Sequence, residues 1–311
     1  MKQRRELSYD ATKTRVTSNL DLKRWFPPRG NEPDFNKATF GHTVIFAGSI
    51  HYAGAAILSA NAAMRSGTGY VTLVVPAQVR FSVESRLYPS VIIKTLPDGG
   101  SGYFRSSSLE AAIKLTLKAT AVAFGPGIGM EPQTCVFFKK FLMRYAGPLV
   151  LDADALNFLA QEPDQGRALL LPRKAPTILT PHPGEMGRLM GLESEQVQKN
   201  RLKLVRKLAR ACGCIVVLKG FQTLIADADG SCYQNPTGHA GLATAGMGDV
   251  LTGLLSGLLA QGFDPYHSAV GGVFIHGRAG DLIATKNGGV IGLTAHDLIE
   301  SLPAARHCHI K

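Results

Sequence analysis

A parallel β-sheet covered by helices on both faces, a three-layer α/β/α sandwich, is the fold this sequence predicts. Three observations carry that expectation. Short apolar runs alternate with longer helical stretches almost from end to end. The runs are apolar throughout, as strands buried on both faces are. The chain also has 311 residues, 45% of them hydrophobic and 18% charged, enough to bury one large core.

In chain order, the predicted strands are His42–Ala47, Tyr70–Val75, Ala121–Phe124, Leu149–Asp152, Thr177–Thr180 and Ile215–Leu218. The segments between them suit helices at Gly54–Arg65, Pro132–Tyr145, Gly184–Met190 and Ser194–Ala211. After Leu218 the pattern changes. Gln222–Ala226 and Cys232–Gln234 flank Asp227–Ser231, whose Asp-Ala-Asp-Gly-Ser reads as a hairpin turn. Two long helical segments follow, Asp249–Ala260 and Tyr266–Lys286. The organisation expected is a partly ordered arm over 1–37, a single catalytic domain over 38–303, and a tail over 304–311.

Composition removes several classes. No apolar run is long enough for a membrane span, and the basic first twenty residues lack the apolar stretch of a signal peptide. A cytoplasmic protein is expected. Five cysteines (Cys135, Cys212, Cys214, Cys232, Cys308) do not make a disulfide framework in a chain this size. Cys212-Gly213-Cys214 leads into Ile215-Val216-Val217-Leu218, a setting for buried thiols rather than a metal site. Net charge is +11 with a pI near 9.5, which raises nucleic acid as a partner. Neither zinc-finger spacing nor an RNA-binding aromatic motif supports it. Much of the charge lies in Lys199–Arg210, where Leu202, Val205, Leu208 and Cys212 would share one helical face. That helix has either a solvated basic face or one that attracts a phosphate-rich small molecule.

In a parallel sheet, ligands bind beyond the carboxyl ends of the strands, and five motifs occupy those places. Gly125-Pro126-Gly127-Ile128-Gly129 fails the dinucleotide fingerprint, with Met130 where its third glycine belongs, but its tight turn lets backbone approach a ligand. Asp152-Ala153-Asp154 puts two carboxylates at a strand end, each either a helix cap or a cleft group. Thr180-Pro181-His182-Pro183-Gly184-Glu185 fixes His182 between two prolines, an arrangement that favours ligand contact over a merely structural role. Glu185 there either answers the helix dipole or reaches Mg²⁺ through water. Lys219-Gly220-Phe221-Gln222-Thr223 offers charge, backbone N–H and hydroxyl to phosphate oxygens. No Walker motif occurs. Last, a glycine-rich stretch from Gly238 to Gly248 leads into an apolar helix beginning near Asp249. Such a helix start is an anion site, and Asp249 beside it is either a proton acceptor or a simple N-cap.

Together these motifs resemble the ribokinase-like fold, whose members carry a Gly-x-Gly-Asp anion hole and catalytic aspartate. Within that fold, the ordered set Lys37-Ala38-Thr39-Phe40-Gly41-His42, Gly54-Ala55-Ala56, Phe124-Gly125-Pro126-Gly127, Asp152–Asn157, Pro181–Glu185 and Lys219-Gly220 is similar to the ADP/ATP-dependent NAD(P)H-hydrate dehydratases. The resemblance implies repair of hydrated NADH and NADPH, with ADP or ATP as phosphoryl donor, ADP favoured, and Mg²⁺ as cofactor. It implies Asp249 as the catalytic base, and Ala55, Gly127, His182 and Asp249 against the hydrated dinucleotide. Lys219, Gly220, Phe221, Gln222, Thr223 and Gly248 would hold the adenine nucleotide, with Ala245, Gly246, Met247 and Gly248 forming the anion hole. It also implies a homotetramer and a separate epimerase as functional partner. Three departures stand out: His239 and Ala240 where the family usually has Asn-Pro, Ala245 where it often has glycine, and few glycines in Ser49–Ala53. The rival reading is a kinase of the same fold acting on a vitamin-precursor alcohol, which has no need of Pro181-His182-Pro183.

Overall fold

The computed structural model describes residues 14–27 and 34–307, which build one ten-stranded sheet. Its strands are β1 (Thr14–Val16), β2 (His42–Phe46), β3 (Tyr70–Pro76), β4 (Ile92–Leu96), β5 (Ala121–Phe124), β6 (Leu149–Leu151), β7 (Thr177–Leu179), β8 (Ile215–Leu218), β9 (Leu224–Ala226) and β10 (Cys232–Gln234). They lie in the order β1-β10-β9-β8-β7-β6-β5-β2-β3-β4. Every pairing is parallel except β8–β9 and β9–β10, the latter being the hairpin that the Asp227–Ser231 turn predicts. The central strands β5 to β8 are buried along their whole length, as strands covered on both faces must be.

Thirteen helices are described: α1 (Asn19–Trp25), α2 (Ala53–Arg65), α3 (Arg80–Glu84), α4 (Leu109–Leu115), α5 (Pro132–Arg144), α6 (Asp154–Ala160), α7 (Pro163–Leu170), α8 (Pro183–Met190), α9 (Ser194–Lys199), α10 (Arg201–Cys212), α11 (Met247–Ala260), α12 (Pro265–Asn287) and α13 (Ala295–His307). On one face of the sheet, Phe46 and Phe124 meet Phe137, Phe138 and Phe141 of α5 in an aromatic cluster. The other packs Ile45, Ala123, Val150, Ile178 and Val217 against α2, α11 and α12. Nearly every side chain of α11 from Val250 onward is buried, because the helix lies between the sheet and two other helices.

The seam between α2 and α11 is made of small residues. A Cβ added at Gly253 would stand 2.1 Å from the Ser59 carbonyl oxygen and 2.9 Å from Ala62 Cβ. Only glycine allows the two backbones to approach that closely.

Several expectations need correction. Within the arm, Ser18 and Asp21 form a reciprocal capping box that starts α1, and Leu22 and Phe26 are buried beneath α12 and α13. Strand β1 pairs with β10 at the sheet edge. Residues 304–307 of the expected tail continue α13, whereas Cys308 lies outside the described residues. The helix expected over Ser194–Ala211 is two helices broken at Asn200. In α10 the buried face is Leu204, Val205, Leu208, Ala209 and Cys212, while Leu202 points outward. Val205, Leu208 and Cys212 keep the predicted face, and Leu202 leaves it because it lies in the first turn of the helix, at the end. Cys135, Cys212, Cys214 and Cys232 are free and buried, as expected. No described helix is long and apolar enough to cross a membrane.

Candidate active site

Four of the five motifs converge at the carboxyl ends of β5 to β8. Lys219 leaves the end of β8 and its Nζ lies 2.8 Å from Asp152 Oδ1 and 3.7 Å from Glu185 Oε2. Asp152 is almost fully buried, and its second oxygen accepts from Thr252 Oγ1 of α11 at 2.7 Å. Burial opposes its ionisation, yet Lys219 and the Thr252 and Thr180 hydroxyls outweigh that and hold it below the usual carboxylate range. Burial equally opposes the Lys219 charge, but Asp152 and Glu185 outweigh it and keep the ammonium above its ordinary pKa.

The two carboxylates at the end of β6 diverge because Ala153 between them adopts φ 50. A positive φ at a residue other than glycine is strain of about 1–3 kcal/mol, held by its surroundings. Asp152 turns inward to Lys219. Asp154, at the first position of α6, accepts from the Gly129 N–H at 2.9 Å, so it braces the Gly125–Gly129 turn. That turn meets α2: a Cβ on Gly127 would stand 2.9 Å from Ala55 Cβ. Ala55 and Gly127 are therefore neighbours.

His182 is the N-cap of α8. Its Nδ1 accepts from the N–H of Gly184 at 3.0 Å and of Glu185 at 3.2 Å. Glu185 Oε2 in return accepts the His182 N–H at 2.8 Å, closing the box. A ring nitrogen that accepts two N–H bonds carries no proton, so the hydrogen sits on the half-exposed Nε2. Burial and the Lys219 charge both lower the His182 pKa, which keeps the ring neutral. Burial and Asp152 push Glu185 upward against the pull of Lys219.

Helix α11 starts at Met247, two residues earlier than predicted, with Gly246 (φ 89) as its N-cap and no side-chain cap bond. Asp249 is thus the third residue of the helix and not its cap. The first turn leaves N–H groups without intrahelical partners, beside Lys219: a Cβ on Gly248 would stand 3.5 Å from Lys219 Nζ and 3.8 Å from Asp152 Oδ2. Asp249 is pushed up to about 7, first by burial and then by the Asp152 charge, against the pull of Lys219. Ala245 is exposed, whereas the Met247 side chain is buried and only its backbone faces the helix start.

In the loop after β8, Gly220 takes φ +130, Gln222 takes φ 53 and Phe221 is 83% exposed. Thr223 Oγ1 donates to the Gly220 carbonyl oxygen at 2.9 Å. The departure at His239 has a structural answer. Its Nδ1 accepts from Gly241 N–H and its Nε2 donates to the Gly280 carbonyl oxygen, so the imidazole caps the turn ahead of the anion site. Sequence reading missed Thr252 and His276, whose Nε2 donates to the Met247 carbonyl oxygen at 2.9 Å. Neither carries a motif; only the packing of α11 and α12 brings them in. Among the described residues, no group of three or more His, Cys, Asp or Glu side chains could hold a metal ion.

Residues 43–304 match the family model described as NAD(P)H-hydrate dehydratase. The chain is 37% identical over 303 residues to the ADP-dependent (S)-NAD(P)H-hydrate dehydratase of Neisseria meningitidis serogroup B, covering 96% of this chain and 95% of that protein. It is 38% identical over 272 residues to the bifunctional NAD(P)H-hydrate repair enzyme Nnr of Moorella thermoacetica, 88% of this chain but 50% of that one. The chain therefore spans about half the length of such bifunctional relatives. Among solved structures, the ADP/ATP-dependent NAD(P)H-hydrate dehydratase of Bacillus subtilis, co-crystallised with ATP and Mg²⁺, superposes with a TM-score of 0.78. That match has 29% identity and covers 94% of this chain and 97% of that one.

Proposed function

Because the chain belongs to the NAD(P)H-hydrate dehydratase family, we propose that it returns hydrated NADH and NADPH to NADH and NADPH, driven by an adenine nucleotide, with ADP the favoured donor. One observation carries the chemical reading: Asp249 has its carboxyl poised near neutrality in the first turn of α11, beside Lys219. A general base works best with a pKa near the working pH.

Hydroxide is a poor leaving group, and phosphate a good one. Asp249 takes the proton of the hydrate's hydroxyl as that oxygen attacks the terminal phosphorus of the donor. The bond from phosphorus to the donor's bridging oxygen breaks, leaving AMP from ADP or ADP from ATP. The carbon–oxygen bond then breaks, phosphate departs with its electron pair, the ring loses a proton and the double bond reforms. In this reading Ala55, Gly127 and the Nε2–H of His182 contact the hydrate. Lys219 to Thr223 and Gly248 hold the nucleotide. The backbone of Ala245, Gly246, Met247 and Gly248 receives the charge of the phosphoryl group in flight.

The donor set suits an ion carried in on the nucleotide and reached through water, Glu185 among its donors, because Mg²⁺ keeps several waters and needs few protein ligands. When bound, Mg²⁺ would neutralise phosphoryl charge. A homotetramer, a cytoplasmic setting and a functional partnership with an epimerase of the hydrate belong to the same proposal. Exposed Phe81 and Ile291 supply apolar surface for assembly, and the four free thiols among the described residues suit a reducing compartment.

The test follows recovery of nicotinamide absorbance when the protein meets chemically hydrated NADH, Mg²⁺ and ADP or ATP. Recovery that depends on nucleotide, and falls about 100- to 10,000-fold in Asp249→Asn, is expected. No recovery with either nucleotide overturns the assignment, and a phosphorylated vitamin alcohol in a parallel screen would replace it with the kinase reading.

A further inference from the structure

Arginine is badly placed at the first position of a helix, because the dipole there disfavours a cation. Arg201 occupies that position in α10, and no acidic residue stands in the first turn to offset it. Its guanidinium is also partly buried, and burial lowers its pKa from the ordinary arginine value. Its described hydrogen bonds go to neutral groups. Nη1 donates to Gln198 Oε1 at 3.1 Å and to the Lys219 carbonyl oxygen at 3.3 Å, and Nη2 donates to the Leu218 carbonyl oxygen at 3.1 Å. A side chain that breaks a local rule and gives up solvation is held by something worth the cost.

The receiving carbonyls identify it. Both lie where β8 ends and the loop Lys219 to Thr223 begins. A Cβ on Gly220 would come within 2.9 Å of Arg201 Nη1, so the guanidinium fills the space that the bare α-carbon leaves. From the other end, the Thr223 hydroxyl pins the Gly220 carbonyl. Held at both ends, the loop sends the Lys219 side chain inward to Asp152 and leaves Phe221 exposed. The helix break at Asn200, which the periodicity of the sequence hides, sets Arg201 beneath the loop; Asn200 itself is tied back to the Gln196 carbonyl oxygen at 3.1 Å.

We infer that Arg201 is a positioning residue for the adenine-nucleotide loop, its two-pronged grip on the carbonyls of Leu218 and Lys219 fixing the loop in the shape that receives phosphate. The inference rests on the proposed function for the identity of the nucleotide. A planar fork can hold two carbonyls at once, and an ammonium cannot do so in the same geometry. Charge alone therefore does not replace it.

The experiment compares wild type with Arg201→Gln, Arg201→Lys and Gln198→Ala. ADP affinity is read by calorimetry with Mg²⁺ present, KM for each substrate by dehydration, and folding by circular dichroism. Loss of one to two charge-assisted bonds predicts an ADP Kd and KM about 10-fold or more higher in both arginine variants. The KM for the hydrate should stay within about 2-fold, and Gln198→Ala should match wild type. Unchanged ADP affinity in a folded Arg201→Gln protein overturns the inference. Rescue by Arg201→Lys overturns the fork in favour of charge. Equal weakening for both substrates with a lower melting temperature reduces the residue to general support. Should Arg201→Gln fail to fold, Arg201→Lys, which keeps charge and bulk, decides alone. Wild type that binds ADP without dehydrating the hydrate overturns the proposed activity and leaves this test standing; wild type that binds no ADP overturns both.

Discussion

At Asp249 burial and a neighbouring carboxylate push the same way, and the raised pKa has two measurable signs. As a base it must be ionised, so kcat/KM should climb with pH through about 7 and level off above it. For stability the sign runs the other way. Between about pH 4 and 7 the folded protein keeps a proton that the unfolded chain has released, so Asp249 makes stability fall as pH rises, with no further change above the folded pKa. Asp249→Asn removes that penalty. The variant should be inactive yet more stable than wild type, by up to about 4 kcal/mol near pH 8 and by little near pH 4, in urea titrations at each pH. The neighbouring pair behaves differently. Lys219→Met strands the buried Asp152 carboxylate and should cost about 3–5 kcal/mol as well as nucleotide affinity. Adding Asp152→Asn should return part of the stability and none of the activity, a double-mutant cycle readable by thermal melts and ADP titration. Asp249, His182 and Lys219 were legible in the sequence because each sits in a local pattern, the last two at strand ends and Asp249 at a glycine-rich helix start. The pairing of Lys219 with Asp152, 67 positions away, was not, since nothing local records which strand ends become neighbours.

At the scale of elements, the α2–α11 seam is the part most sensitive to one added atom. Gly253→Ala pushes a methyl group against the Ser59 carbonyl, where no side chain can swing aside, and should cost about 3 kcal/mol by denaturant midpoint. A larger loss of activity than of stability is expected, because both helices carry site residues. The central strands were readable from their apolar runs, and β5 and β8 match the predicted limits to the residue. β4 was missed: at the sheet edge its residues alternate in exposure, and Lys94 faces solvent, so it lacks the continuous apolar run. The break at Asn200 escaped for a different reason. The residues on either side are good helix formers, so nothing in the local pattern marks the interruption.

For the whole molecule, residues 14–26 are as much part of the body as any later element. Trp25 stacks on His267 with centroids 4.3 Å apart, Phe26 meets Phe263 edge-on, and β1 covers the open side of β10. Phe26→Ala should therefore cost about 3–5 kcal/mol. Removing residues 1–26 should lower the melting temperature and bring on aggregation in light scattering, since it uncovers both an apolar face and a strand edge. The architecture was predictable from alternation alone, but the docking of the arm was not, because a short segment holding Leu20, Leu22, Trp25 and Phe26 does not say which distant helices it packs against. The glycine seam has one more consequence. Two helices that touch through main chain have no rotamers between them to rearrange, so the spacing from Ala55 to Asp249 is settled at folding and barely changes when substrates arrive. Whatever adjustment turnover demands must then come from the loops on the rim, after β8 and ahead of α11, which makes these two segments the places to look for slow motion by relaxation measurements.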